Sequence, residues 1–128
     1  GLLVVTASYF EFSRPNDVEL PEEEWRHGLH GGAIETAMML HLRPDLVRRE
    51  ALQTFPSLGQ ELEGTLACLR PEGQPSFAWL AGDLNPLGAT GDATLATADI
   101  GARLASHYGQ VLADVVQDAR QFPINRLI

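Results

Sequence analysis

Residues 25 to 47 constrain the chain most. Trp25-Arg-His-Gly-Leu-His-Gly-Gly-Ala-Ile-Glu-Thr-Ala-Met-Met-Leu-His-Leu-Arg-Pro-Asp-Leu-Val47 joins a glycine-broken loop directly to a helix. Gly31-Gly32 bound that helix on one side, and Pro44 bounds it on the other because proline disfavours helical geometry at Arg43. Ile34, Met38 and Leu42 recur at i, i+4 and i+8, which predicts a buried stripe. Glu35 then falls in the first turn beside that stripe, where the positive end of the helix dipole favours a carboxylate. His30 precedes the helix on backbone free enough to turn its ring towards Glu35. A loop running into a rigid helix is a common mount for polar chemistry. His30 and Glu35 are therefore the candidates for acid–base work, since a carboxylate beside an imidazole orients the ring for proton transfer. His41, beyond the stripe, reads as structural or surface.

Composition narrows the classes of function. A length of 128 residues with 45% hydrophobic and 20% charged content suits one soluble domain with one core. The net charge of −8 argues against nucleic acid, which requires a basic face, and equally against anionic membrane surfaces. Cys68 is the sole cysteine, so neither an internal disulfide nor a cysteine-based metal site can form, as suits a reducing cytoplasm. No apolar run is long enough to cross a bilayer. The opening Gly1-Leu-Leu-Val-Val-Thr lacks the basic flank of a signal peptide and reads as a buried strand. A chain that begins on a strand hints at a piece of a longer protein.

Along the chain, Leu2 to Phe12 starts apolar and then alternates, which predicts an interior strand and its exit loop. Tyr9, Phe10 and Glu11 stand at that exit, either as a pocket wall or as core. Residues 13 to 24, with Arg14-Pro15-Asn16-Asp17 and Pro21-Glu22-Glu23-Glu24, read as a polar connection whose three glutamates form a solvated face rather than a metal cage. Residues 48 to 74, punctuated by Pro56, Gly59, Gly64, Pro71 and Gly73, read as a long loop, serving as a pocket cover, a subunit contact or a surface segment. Phe77 to Ala81 reads as a second strand. Residues 93 to 120 carry the longest helical pattern, with Ile100, Leu104, Val111, Val115 and Ala119 near one face and Asp92 or Thr97 as the cap. Gly101 and Gly109 within it mark close packing. The alternation of strand and helix predicts an α/β fold with a mainly parallel sheet. Two strands are few for such a sheet, so either weak strands lie in residues 48 to 74 or other polypeptide supplies the neighbours.

His27-Gly-Leu-His30 lacks the spacing that places two imidazoles on one helical face for zinc. The chain also has no Gly-x-Ser-x-Gly elbow, no P-loop and no dinucleotide fingerprint. The run from His30 to Val47 nevertheless resembles the His-(Gly/Ala)-Gly-x-x-Glu-Thr-Ser-x-Met-Leu-x-Leu-x-Pro-x-Leu-Val signature of the creatininase (creatinine amidohydrolase) family. Gly88-Ala-Thr-Gly-Asp-Ala-Thr-Leu-Ala-Thr-Ala-Asp-Ile-Gly101 is similar to that family's Gly-x-x-Gly-Asp-x-x-x-Ala-Thr-x-x-x-Gly run before its last helix. Val5 to Phe12 resembles the strand end that brings an aromatic to its active site. The three stretches occur in the family's order.

This resemblance implies a three-layer α/β/α architecture with a mainly parallel sheet, incomplete in this chain. It implies a homo-oligomeric, metal-dependent amidohydrolase acting on a small cyclic amide or formamide, in which two divalent ions, zinc or manganese, activate water. His30 matches the family's proton donor to the leaving nitrogen, and Glu35 shares its pocket as the polar partner. Phe10 matches an aromatic substrate-site position, commonly tryptophan, and Arg26 and His27, near the family's Trp-Asp pair, are the other substrate-binding candidates, their identities arguing against creatinine itself as substrate. Ala37 replaces the usual serine. The family's metal-binding stretches, Glu-x-His-Gly-Pro-His-Leu-Pro, Thr-Asp and Asn-Gly-His-Gly-Gly-Asn, do not occur here, so no residue of this chain is assigned as a metal ligand. The expectation is that residues 1–128 form the C-terminal portion of one creatininase-like domain, inactive alone, with the ligands on the other half. A non-catalytic binding or assembly module with the same fold is the alternative.

Overall fold

The acidic run that reads as a connection instead begins the first helix, α1 (Glu22–His27), with Arg26 and His27 in its last turn. Acidic groups at the start and basic groups at the end of a helix both complement its dipole. Six more regular elements follow in the computed structural model, which describes residues 1–127. They are α2 (Ala33–Leu42), β1 (Thr54–Phe55), α3 (Leu58–Glu63), α4 (Ala81–Leu84), β2 (Gly91–Asp92) and the long α5 (Ala98–Gln121). The fold is thus mixed helix and sheet. No helix among the described residues is long and apolar enough to cross a membrane.

The central helix forms between its expected limits, starting after Gly32 and ending at Arg43. Its buried face is shifted from the expected stripe. Ala33, Ile34, Ala37 and Leu40 are buried, Met38 is half-buried, and Leu42 is 60% exposed. The cause is the partner helix: α5 packs across α2 at Ala37, where Gly101 brings the two backbones together. Small residues set this approach, so the contact centres on them rather than on the largest apolar side chains. Val18, Ile34, Ala37 and Leu104 form the core, with Trp25, Ile100 and Tyr108 packed against it.

Thr97 caps α5 by accepting the Ile100 N–H, while Asp92 caps the short 3-10 turn Ala93–Leu95 by accepting the Thr94 N–H. Both cap candidates act, on different turns. Beyond Leu104 the apolar face of α5 is only partly covered, with Val111, Val115 and Ala119 half-buried. Gly101 does mark close packing, but beyond its own turn of helix Gly109 has no described residue within 4 Å of where a β-carbon would lie.

The expected mainly parallel sheet is not what the described residues form. Their one sheet is a two-stranded antiparallel ladder, Thr54 opposite Asp92 and Phe55 opposite Gly91. Its first strand lies in the stretch read as a long loop, which also supplies α3. Residues 2 to 7 run without regular structure, and their backbone groups bond to no described residue. Leu2 and Val4 are 80% and 74% exposed, so the apolar run is not buried as a strand here. A strand exists only through its neighbours. The strand expected over Phe77 to Ala81 is corrected too. The Asp83 carboxylate accepts the Leu80 N–H at 2.7 Å, which turns the chain into α4 at Ala81.

Candidate active site

The site begins with how the loop before α2 is held. Thr90 is fully buried, and its hydroxyl oxygen accepts the N–H groups of Leu29 at 3.0 Å and His30 at 3.2 Å. The Thr90 N–H in turn donates to the His30 carbonyl at 2.7 Å. The two motif-bearing stretches, 30–47 and 88–101, therefore meet at this pair. Backbone that would otherwise be free is fixed at the residue whose ring carries the chemistry.

A second clamp is Glu24, which is 4% exposed. One carboxylate oxygen accepts the Ala33 N–H at the start of α2, and the other accepts the Asp92 N–H in β2, both at 2.6 Å. Gly28, Gly32 and Gly91 surround it, and a β-carbon on any of them would collide with the carboxylate. Sequence reading placed Glu24 in a solvated run and missed this role. The signal was available only in part, as three glycines distant from it in the chain.

Gly31 adopts φ +68°, a conformation that favours glycine, and the turn carries the chain into α2. Its N–H donates to Glu35 Oε2 at 2.5 Å, and the same oxygen lies 3.8 Å from His30 Nδ1. The other oxygen, Oε1, accepts the Tyr9 hydroxyl at 3.0 Å. The expected pairing of imidazole and carboxylate is thus present, at ion-pair reach. The side chain of His30 is 56% exposed and that of Glu35 29%, and Nε2 of His30 has no hydrogen-bond partner among the described residues. Burial, with the charge and hydrogen bond of Glu35 in support, pushes the Tyr9 phenol well above its ordinary range. Tyr9, read from sequence only as pocket wall or core, is a direct partner of Glu35.

His30 and Glu35 line an open cavity of about 550 Å³ whose other walls include Met39, Leu52, Phe55 and Leu87. Its lining is mostly apolar, with Thr36, Arg48 and Gln53 as further polar groups, a mixture common in small-molecule sites. Phe10, Arg26 and His27 line a different cavity, of about 340 Å³, together with Trp25, Glu63 and Arg70. The five candidate residues therefore fall in two neighbouring groups. Phe10 connects them indirectly, since its ring stacks on Tyr9 with centroids 4.3 Å apart. His27 is 6% exposed, with Nε2 3.3 Å from Glu63 Oε2 and Nδ1 buried without a hydrogen-bond partner among the described residues. Arg26 also pairs with Glu63, and His41 is exposed on α2.

No group of three or more His, Cys, Asp or Glu side chains suited to a metal ion occurs among the described residues. Glu35 already accepts from Tyr9 and Gly31, and Glu24 from two backbone N–H groups. The donor set does not fit a dinuclear centre. What the pair can do alone is hold and move a proton at a cavity wall.

The protein-family model described as creatininase, creatinine amidohydrolase, matches residues 2–116. No curated protein and no solved structure matches the chain.

Proposed function

Because the chain belongs to the creatininase family, we propose that it is the C-terminal half of an amidohydrolase that cleaves the C–N bond of a small cyclic amide or formamide. The observation that carries this reading is the His30–Glu35 pair on the wall of the 550 Å³ cavity. In this proposal His30 exchanges a proton with the leaving nitrogen through its free Nε2, and Glu35 orients the ring from the Nδ1 side. Phe10, Arg26 and His27 shape the approach from the neighbouring cavity.

The family resemblance calls for divalent zinc or manganese, which would supply an activated water. These residues do not provide its ligands, so we assign the ligands to polypeptide bearing the family's metal-binding stretches, in the same or a partner chain. The three-layer α/β/α arrangement would then arise when residues 2 to 7, which lack regular structure here, pair with strands of that polypeptide. A homo-oligomer in a reducing cytoplasm, where Cys68 stays free and exposed, completes the proposal.

The absence of a three-donor cluster among the described residues favours one second reading, a non-catalytic binding or assembly module. Intact mass and metal content of the source protein separate the two. A mass near twice that of 128 residues, about two divalent ions per protomer, and amide cleavage abolished by His30→Ala support the hydrolase. A 128-residue protein that neither retains metal nor cleaves amides overturns it.

A further inference from the structure

Glu35 is held on both sides. Gly31 N–H occupies Oε2 and the Tyr9 hydroxyl occupies Oε1. A glutamate side chain has several rotatable bonds, and two donors on different oxygens fix its plane as one donor cannot. The ion pairs of the described residues give Glu35 no arginine or lysine, and His30 alone lies within reach. Its charge is therefore not taken up by a structural salt bridge.

The phenol that supplies the second donor is itself immobilised. Phe10 stacks on the Tyr9 ring at 4.3 Å with an interplanar angle of 26°, and Tyr108 backs it at 5.5 Å. Aromatic pairs at such spacings are mutually attractive and restrict ring orientation. Tyr9 precedes α2 by more than twenty residues, so only the fold brings the phenol to Glu35.

We propose that Tyr9 is a positioning residue for the His30–Glu35 pair, fixing one oxygen of Glu35 so that the other faces the imidazole. This deepens the amidohydrolase reading and rests on it. Burial beside Glu35 keeps the phenol protonated well beyond neutral pH, so it acts as a donor throughout the range in which a histidine exchanges protons. Without the hydroxyl, Oε1 loses its partner and the carboxylate is free to swing away from Nδ1.

The test uses the full chain and two readouts. First, nitrogen NMR of the His30 ring at a pH where histidine is neutral reports its tautomer. Wild type is expected to favour the proton on Nδ1, facing Glu35, and Tyr9→Phe, which keeps the aromatic stack, to move the ratio towards that of free imidazole. Tyr108→Phe serves as the packing control and is expected to leave the ratio in place. An unchanged ratio in a folded Tyr9→Phe protein overturns the proposal. Second, in the metal-loaded protein that contains the complementing half, Tyr9→Phe is expected to lower kcat by about tenfold with little change in KM, the signature of a transition-state effect. In a Glu35→Gln background the same substitution is expected to have no further effect, because both act through one group. Full additivity of the two substitutions overturns the positioning role. If His30-dependent hydrolysis persists at the wild-type rate in Tyr9→Phe, the positioning role fails and the amidohydrolase reading stands. If no amide is cleaved at all, that reading fails, and the tautomer comparison alone decides the role of Tyr9.

Discussion

Gly101 of α5 lies against the backbone carbonyl of Ala37 in α2, so closely that a β-carbon at Gly101 would overlap the carbonyl oxygen. The obstacle is backbone on a packed helix, which cannot swing aside as a side chain would. Gly101→Ala is expected to destabilise the fold by about 1–3 kcal/mol, the usual result of overpacking. Gly109→Ala, eight residues later on the same helix, meets no described residue within 4 Å beyond its own turn of helix and is expected to stabilise by about 0.5–1 kcal/mol through helix propensity. Urea unfolding of the two variants checks both signs.

Glu24 joins α1 to the start of α2 and to β2 through its two backbone acceptances. Glu24→Gln keeps one oxygen and turns an amide N–H₂ towards a backbone donor. The expected loss is about 1–3 kcal/mol, the cost of leaving a buried donor unsatisfied. Gly91→Ala attacks the same clamp from the other side, because φ is +107° there and the new carbon would lie 2.7 Å from Glu24 Oε1. Both variants are expected to unfold at lower urea, while an unchanged midpoint for Glu24→Gln would mean that the clamp contributes nothing.

Thr90 and His30 are expected to separate stability from activity. Thr90→Val removes the acceptor of two N–H groups in a fully buried position, and is expected to destabilise by about 1–3 kcal/mol. His30→Ala removes a half-exposed ring, and is expected to change stability by less than about 0.5 kcal/mol. Thermal unfolding beside the amide-cleavage assay measures the contrast.

Alkaline pH is expected to weaken the protein through Tyr9. Burial first, and then Glu35, raise the folded-state affinity of this phenol for its proton above that of the unfolded chain. That contribution is fully present below the unfolded value of about 10 and is lost as pH rises from there towards the higher folded value. Tyr108, also raised by burial, adds to the same decline. Tyr9→Phe is expected to flatten the loss of stability above about pH 10, measured by urea unfolding across a pH series. An equally steep decline in the variant would remove Tyr9 as its source.

The local frame around α2 is legible in the sequence. The glycine pair and Pro44 mark the limits of α2, since each acts on the backbone next to it, and Glu35 follows in the first turn by spacing alone. The stripe Ile34-Met38-Leu42 was only half right, because which face of α2 is buried depends on where α5 crosses. Hydrophobic runs gave the weakest guidance. Leu2 to Val5 and Phe77 to Ala81 have strand composition, yet the first finds no ladder partner among the described residues and the second is turned into α4 by Asp83.

Local rules decided the elements whose causes are local: where α2 starts and stops, that Thr97 caps α5, and that His30 and Glu35 stand close enough in the chain to share one pocket. Family membership was likewise legible, because the motifs that carry the resemblance are read from the chain itself and the family model matches residues 2–116. Tertiary structure alone decided that Tyr9 reaches Glu35, that Thr90 fixes the backbone of His30, that Glu24 is buried among three glycines, and that Phe10, Arg26 and His27 line a cavity apart from His30. Each of these joins residues distant in the chain. A hydrogen bond or a collision depends on distances of a few ångströms, and spacing along the sequence does not set such distances once the chain has turned back on itself.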